Sequence, residues 1–410
     1  MKSIDDLTVT GRRVLVRLDL NVPMSGDTIS DDGKIRACLP TLTALLERGA
    51  AVIACSHLGR PAGHPDPRYS LAPVASRLAE LLGQPVQFAA DTVGEAARSA
   101  AAALLPGRLL LLENLRFSPA ETSKDDSARG TFADQLADLA DEYVGDGFGA
   151  MHRRHASVYD VPARLPHAAG YLVLAETAAL AKLTSGVRRP YAVVLGGAKV
   201  TDKLPVVGRL AGIADQILIG GAMANSFLAA QGLGVGASAV DGDPDAAREC
   251  LAQAAAAGVQ VLLPADLVVA PDRETDGPVR VVPAGAVPAG EQALDIGPKT
   301  ATLFAAALAE AQTIFWNGPM GVSENPRFAE GTLSIARAIA GHEGFTMVGG
   351  GDTAAAVRSL GFSESDFSHI STGGGASLEY LEGKTLPGLA ALDAGIAVPE
   401  AAPEAVAGRS

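Results

Sequence analysis

Residues 191–203 read YAVVLGGAKVTDK. An apolar run leads into paired glycines and then into two lysines four residues apart. A short continuous apolar run bounded by turn residues fits a strand buried on both faces. Glycines at its carboxyl end let backbone approach a ligand closely. The spacing predicts that a helix opens here, with Lys199 and Lys203 on one face. A phosphate at such a helix start gains from backbone N–H groups and the helix dipole. A tight turn carrying two solvated lysines fits the same string.

The pattern recurs on both sides of this stretch. Downstream come QILIGG (216–221), VQVLLPAD (259–266), TIFWNG (313–318) and FTMVGGG (345–351), each joined to an Ala/Leu stretch of helical period. Upstream come VLVRLD (14–19), AVIACS (51–56), LLLLEN (109–114) and YVGD (143–146), with helix candidates over 37–49, 70–83 and 127–142. Such alternation implies parallel sheets with helices on both faces. Two successive runs imply two α/β domains, and residues 172–186 read as a helix between them. In open parallel sheets ligands bind beyond the carboxyl ends of the strands. The unusual residues fall there in both halves: Asp19 and Asn21, Ser56 and His57, Glu113 and Asn114, Gly196 and Gly197, Asn317 and Gly318, and Gly349 to Gly351. The expectation is two ligand-binding faces, which could face one another across a cleft.

The chain has 410 residues, is 48% hydrophobic and 19% charged, and carries a formal net charge of −13. That balance fits a large buried core and argues against nonspecific nucleic-acid binding, which relies on a basic surface. Cys38, Cys55 and Cys250 are too few and too scattered for a disulfide framework or a CxxC metal site. The first residues, MKSIDDLTVTGRR, lack the apolar core of a signal peptide, and the longest apolar run is broken at Pro106, Gly107 and Arg108. The expectation is a cytoplasmic protein without membrane partners.

In the second half, GGGDTAAAV (349–357) repeats the strand–glycine–helix arrangement with Asp352 at the helix start. Asp352 could cap the helix, or hold Mg²⁺ together with substrate phosphates. FWNGPMGVSEN (315–325) places Asn317 after a strand; Glu324 could reach a ribose hydroxyl or be a plain loop acid, and Trp316 reads as core. GVGASA (234–239) matches a dinucleotide string but follows a helix, EGKT (382–385) lacks the upstream glycine of a phosphate loop, and HRRH (152–155) has the wrong spacing for a zinc helix. STGGGASLE (371–379) reads as a strand end, three glycines and a short helix; Gly373 to Gly375 could be a loose turn or could expose N–H groups to a phosphoryl group.

In the first half the recurring feature is cationic. RLDLNVP (17–23) puts Arg17, Asp19 and Asn21 at alternate positions, on one face of a strand. SHLGRP (56–61) supplies His57 and Arg60; Arg36, Arg116 and Arg153 sit in polar loop settings. Singly each arginine reads as a solvated surface residue. Together, in an acidic protein, they favour a site for an anion bearing phosphate, carboxylate or both.

RLDLNVP, SHLGRP, LLLLENLRF, DGFGAMHRRHAS, LGGAKVTDK, WNGPMGV, GGGDTAAA and STGGGASLEYLEGKTLPG stand in an order that resembles the phosphoglycerate kinase family, from about Val14 to Leu389. The resemblance implies two doubly wound, parallel-sheet (Rossmann-like) α/β domains joined by a helical hinge. By that likeness residues 1–172 bind phosphoglycerate, 173–188 form the interdomain helix, 189–387 bind nucleotide, and 388–400 pack back onto the first domain. The Ala/Pro-rich tail over 401–410 is expected to be disordered. Substrate binding would fall to Asp19, Asn21, Arg36, His57, Arg60, Arg116 and Arg153. The nucleotide would meet Gly197, Lys199, Lys203, Asn317, Glu324, Gly350, Gly351, Asp352 and Thr353, with Asp352 on Mg²⁺. Arg36, Lys199, Gly373 and Gly374 would act on the transferring group. The implied partners are phosphoglycerate and ADP or ATP, with no nucleic acid and a monomeric chain. The departures are Gly145, Gly147, Ala150 and Met151 where the family has NDAFG-Thr-Ala-His, and Ser323 where it has an aromatic. These touch loop packing and the adenosine pocket. A catalytically silent binding protein is the alternative; the intact Arg36, Lys199 and Asp352 argue against it.

Overall fold

In a computed structural model of the chain, which describes residues 1–201 and 203–394, the run beginning at Val14 is the strand Arg13–Leu18. It is the pivot of a six-stranded, wholly parallel sheet. The spatial order is Val86–Ala89, Leu109–Leu112, Ala51–Cys55, Arg13–Leu18, Glu142–Asp146 and His167–Ala169. The chain moves one way from Arg13–Leu18 through the helices Gly33–Glu47 and Ala72–Leu82, then returns through Glu95–Ala103 and Asp126–Ala137. Right-handed crossovers in opposite directions place helices on opposite faces. The core obeys this. Val14, Val16, Leu18, Val52, Ala54, Leu109 and Leu111 share one cluster with Ile35, Leu42, Leu45, Val74 and Leu78 of the first two helices.

The chain divides into two compact units, Met1–Val173 with the segment from Pro387, and Leu174–Leu386. The division falls inside the helix Tyr171–Thr184. The helix Pro387–Asp393 belongs to the first unit: the Gly388 N–H donates to the Met151 carbonyl at 2.8 Å, and His167 Nε2 lies 2.9 Å from the Ala394 carbonyl. Residues 395–400 of the expected returning segment and the tail 401–410 lie outside the described residues.

The second unit has its own six-stranded parallel sheet, ordered Gln260–Leu262, Gln216–Ile219, Tyr191–Leu195, Thr313–Asn317, Phe345–Gly349 and His369–Ile370. Numbered along the chain this is 3-2-1-4-5-6, so strand order reverses between Tyr191–Leu195 and Thr313–Asn317. Trp316 is core, as its sequence setting suggests: it is fully buried, and its indole N–H donates to the Gly318 carbonyl at 2.8 Å.

Four local readings need correction. VQVLLPAD is not one strand: Gln260–Leu262 ends, and Asp266–Ala270 begins an antiparallel sheet with Arg280–Pro283 and Gln292–Ile296 that sequence reading missed. The mostly exposed Arg280–Pro283 gives no apolar run to find. The helix after Gly197 starts only at Leu204, so Lys199 and Lys203 share no helical face. Strand Arg13–Leu18 stops before Asp19, so alternation does not set the faces of Asp19 and Asn21. The helix candidate over 127–142 ends at Ala137, and Glu142 opens a strand. Among the described residues no helix is long and apolar enough to cross a membrane.

Candidate functional site

In the first unit the candidate residues sit on the loops beyond the carboxyl ends of the strands. Arg17, the last but one residue of its strand, is fully buried. Its guanidinium donates to Ser157 Oγ at 3.1 Å and to the Leu18 carbonyl, and lies 3.2 Å from His57 Nδ1. A guanidinium only donates. Nδ1 of His57 therefore accepts, and the ring proton sits on Nε2. Burial and the Arg17 charge push the His57 pKa well below its ordinary value despite nearby Asp19, so the ring is neutral at pH 7. Burial pushes the Asp19 carboxyl up, but Lys34, His57 and Arg17 outweigh it and bring it down to about 2. Asp19 Oδ2 pairs with Lys34 Nζ at 2.8 Å, and Oδ1 accepts the Asn21 N–H at 3.2 Å. The Asn21 side chain accepts the Gly59 N–H at 2.8 Å and so shapes the SHLGRP loop.

That loop closes one side of a cavity of about 570 Å³ lined by Arg60, Arg116, Arg153 and His155 together with Gly63 and Thr122. Arg60 and Arg153 are exposed, whereas Arg116 is held by its own NH1 on the Gly59 carbonyl at 2.8 Å. Burial pushes the His155 pKa down to about 3, with Arg17, Arg116 and Arg153 adding to it. The cavity thus gathers three cations beside a neutral His155, whose Nδ1 lies 3.9 Å from the buried Glu121 carboxyl. Each charge-assisted bond to an anion there is worth about 1.5–3 kcal/mol. Arg36 does not line this cavity. It lies on the helix Gly33–Glu47, 53% exposed, with Nε on Asp32 Oδ1 at 2.9 Å. An exposed pair of this kind contributes only about 0–1 kcal/mol, so parting from Asp32 costs Arg36 little.

In the second unit the residues collect where strand order reverses, the place open parallel sheets use for ligands. The Gly196 N–H donates to the Asn317 carbonyl at 2.9 Å, and the Gly197 N–H to the Pro319 carbonyl at 2.8 Å. Lys203 is buried, and its Nζ donates to the carbonyls of Gly196 and Asn317, the latter at 3.2 Å. Its charge therefore rests at the fork between the two central strands. Lys199 is exposed. Gly318, at φ +100°, has no room for a side chain: a Cβ would lie 2.2 Å from the Gly196 oxygen and 2.6 Å from Lys203 Nζ. Its N–H donates to Thr353 Oγ1 at 2.7 Å, so Thr353 ties the second glycine turn to the first. The helix Gly351–Ser359 begins from Gly350 at φ +91°, beside the Asn317 side chain. The cap position is therefore a glycine; Asp352 is the exposed second residue of the helix and is not the cap. Glu324 is exposed on its loop.

The triple glycine is less open than its sequence suggests. Gly373 is buried and its N–H donates to Ser371 Oγ at 3.1 Å, which removes it from the set of available donors. Gly374 is the cap of the helix Gly375–Leu381, at φ +51° with nothing within 4 Å of an added Cβ. Sequence reasoning missed Glu176 altogether. This fully buried carboxylate of the helix Tyr171–Thr184 accepts the Thr372 N–H at 2.6 Å and its hydroxyl at 2.9 Å, and lies 3.0 Å from His369 Nε2. A glutamate within an otherwise apolar helical stretch was the available signal.

The model of the family described as phosphoglycerate kinase matches residues 4–384. The chain belongs to that family. Its similarity to a phosphoglycerate kinase of Streptomyces griseus is 61% identity over 402 residues, covering 96% of this chain and 100% of the relative. To one of Salinispora arenicola it is 60% over 398 residues, covering 96% and 99%. Among solved structures, the phosphoglycerate kinase of Coxiella burnetii superposes with a TM-score of 0.82 at 37% identity, covering 95% of this chain and 98% of that one. That of Pyrococcus horikoshii does so with a TM-score of 0.84 at 32% identity, covering 96% and 98%.

Proposed function

We propose that the chain catalyses reversible phosphoryl transfer from the acyl phosphate of 1,3-bisphosphoglycerate to ADP, giving ATP and 3-phosphoglycerate. The observation that carries this reading is the pairing of two complementary anion sites: three arginines around one cavity in the first unit, and glycine turns with a buried lysine at the strand reversal of the second. In this reading Asp19, Asn21, His57, Arg60, Arg116 and Arg153 bind phosphoglycerate. His57 serves as a neutral donor through its Nε2–H. Gly197, Lys203, Asn317, Glu324, Gly350, Gly351 and Thr353 surround the nucleotide.

The reacting groups need no general base. The phosphate oxygen of ADP that attacks in one direction, and the carboxylate that attacks in the other, are both ionised at neutral pH. The barrier is repulsion between polyanions, which positioning and fixed positive charge reduce. Arg36 and Lys199 are the exposed cations assigned to the transferring group. Gly373 orients this segment through Ser371, and the backbone donors come from Gly374 and Gly375. Asp352 projects a carboxylate beside unobstructed glycine backbone, which fits a Mg²⁺ ion held by one carboxylate and nucleotide phosphates. When bound, that ion would neutralise phosphate charge. The reading further takes the enzyme as a cytoplasmic monomer acting on small anions, without nucleic acid.

The decisive experiment is a coupled assay for ATP formation from 1,3-bisphosphoglycerate and Mg-ADP. Robust turnover is expected. Binding of both ligands without turnover would leave a silent binding protein.

A further inference from the structure

The described part of the loop from Gly197 to Lys203 is fastened at three points. At its start the Gly197 carbonyl accepts the Met223 N–H at 2.9 Å, and the Gly197 N–H donates to Pro319. At its end Lys203 Nζ sits on Gly196 and Asn317. Between them, Asp241 Oδ2 accepts both the Thr201 N–H at 3.1 Å and the Thr201 hydroxyl at 2.9 Å.

Asp241 is itself held by backbone contacts. Its N–H donates to Ser226 Oγ at 3.0 Å, and that hydroxyl donates to the Asp241 carbonyl at 2.9 Å. Ser226 is buried on the helix Met223–Ala230, the same helix whose first N–H holds Gly197. The next residue, Gly242, leaves no room for a side chain: its Cβ would lie 2.9 Å from Thr201 Cγ2. One short helix therefore fixes both the start and the middle of the loop. Between those fixed points Val200 is buried and Lys199 is left exposed. The Asp241 carboxyl is held below its ordinary range chiefly by the N–H and hydroxyl of Thr201, with the Val200 N–H and the Lys199 charge adding. It is therefore an anion throughout the neutral range.

We infer that Asp241 is a positioning residue: through Thr201 it fixes the loop that presents Lys199 to the transferring phosphoryl group. Asp241 does not touch the reactants. The inference rests on the role proposed above for Lys199. Losing the tether leaves the lysine in place chemically but free to wander, and a displacement of about 1 Å at a reacting group can cost on the order of 100-fold in rate.

The test is a kinetic cycle on the full chain, with Mg-ADP and 1,3-bisphosphoglycerate as substrates. Asp241→Ala is expected to lower kcat about tenfold or more while leaving KM for 1,3-bisphosphoglycerate unchanged. Asp241→Asn, which still accepts from Thr201, should recover most of that loss. In a Lys199→Ala background Asp241→Ala should cost nothing further, because contacting residues that act as a unit are not additive. Thr201→Val, which removes only the hydroxyl donor, should give a smaller loss that also vanishes in that background; it carries the cycle if Asp241→Ala does not fold. A wild-type kcat in Asp241→Ala, or an equal loss with and without Lys199, overturns the inference. A wild-type chain that makes no ATP overturns the proposed function instead, so the two failures are distinct.

Discussion

In the first unit Arg60, Arg116 and Arg153 surround one cavity with side-chain charge, whereas at the strand reversal of the second unit Gly196, Gly197, Gly318 and Gly350 give the space to backbone. Both sites stand at the carboxyl ends of parallel strands, so the sheet alone does not explain the contrast. The ligands proposed for each do. A small, highly charged acid is gripped best by guanidinium forks that match carboxylate and phosphate geometry. A polyphosphate laid along a chain turn needs the close backbone approach that only glycine permits, while the N–H groups of Gly196, Gly197 and Gly318 are spent on holding the turns in shape. The first strategy depends chiefly on side-chain charge; the second depends on backbone shape together with the charges of Lys199, Lys203 and Asp352.

The most severe way to break that contrast is to remove charge from the first unit. Arg36→Ala should lower kcat by about 10²–10³-fold, as loss of a transition-state donor does. Turnover near that of the unaltered chain in the ATP-formation assay would remove Arg36 from the transferring group. Asp352→Asn tests the carboxylate proposed to hold Mg²⁺ in the backbone-built site. Mg-nucleotide affinity should weaken about tenfold, or 1.4 kcal/mol, with phosphoglycerate affinity unchanged by calorimetry. Gly374→Val tests backbone shape directly. At φ +51° and ψ −115°, outside the left-handed helical region, the change brings strain of about 1–3 kcal/mol although its Cβ meets open space. A severalfold fall in kcat should exceed the accompanying loss of thermal stability; a purely thermal effect would make the segment a structural turn.

The last effect is on stability rather than turnover, a slope that both units share. Burial pushes the carboxyls of Asp146 and Asp295 up to about 7, against the hydrogen bonds that favour their charged forms. The folded chain then keeps protons that the unfolded chain releases near pH 4, so this contribution is full below pH 4 and is lost as pH rises towards 7. The slope is at most about 1.4 kcal/mol per pH unit for each group. Asp146→Asn should flatten it in urea titrations between pH 5 and 7, and an unchanged slope would show that Asp146 does not retain its proton. Asp19 has the opposite sign: its depressed carboxyl stabilises the fold above pH 4, and that contribution fades as pH falls towards 2.

The parallel architecture was legible because its central strands are uninterrupted apolar runs such as LLLL at 109–112 and YAVVL at 191–195. The strand Val86–Ala89 escaped reading because it is an edge strand, largely half-exposed and only four residues long. Strand ends were legible from abrupt changes in composition, which is why His57, Asn317 and Asp352 stood out. What could not be read was commitment. Nothing in GGG distinguishes Gly373, whose N–H is already taken by Ser371, from Gly374, whose surroundings are open. Nothing in KVTDK shows that Lys203 turns inward onto two carbonyls while Lys199 stays exposed. The Ser371 hydroxyl that takes the Gly373 N–H lies only two positions back, but no pattern in the string marks that bond; Lys203 is turned inward in part by Asn317, 114 positions on. Glu176 and Asp241 were missed for the same reason, since each acts through a residue at least 40 positions away.

The return of the chain to the first unit has a consequence for synthesis. Gly388 on Met151, Leu392 beside Gly145, and Ala394 against His167 complete the packing of the unit that the first 173 residues begin. The second unit is contiguous in sequence, and the last helix of the first is translated only after every residue of the second. The order of completion is therefore the reverse of the order of translation: the domain begun first is sealed last.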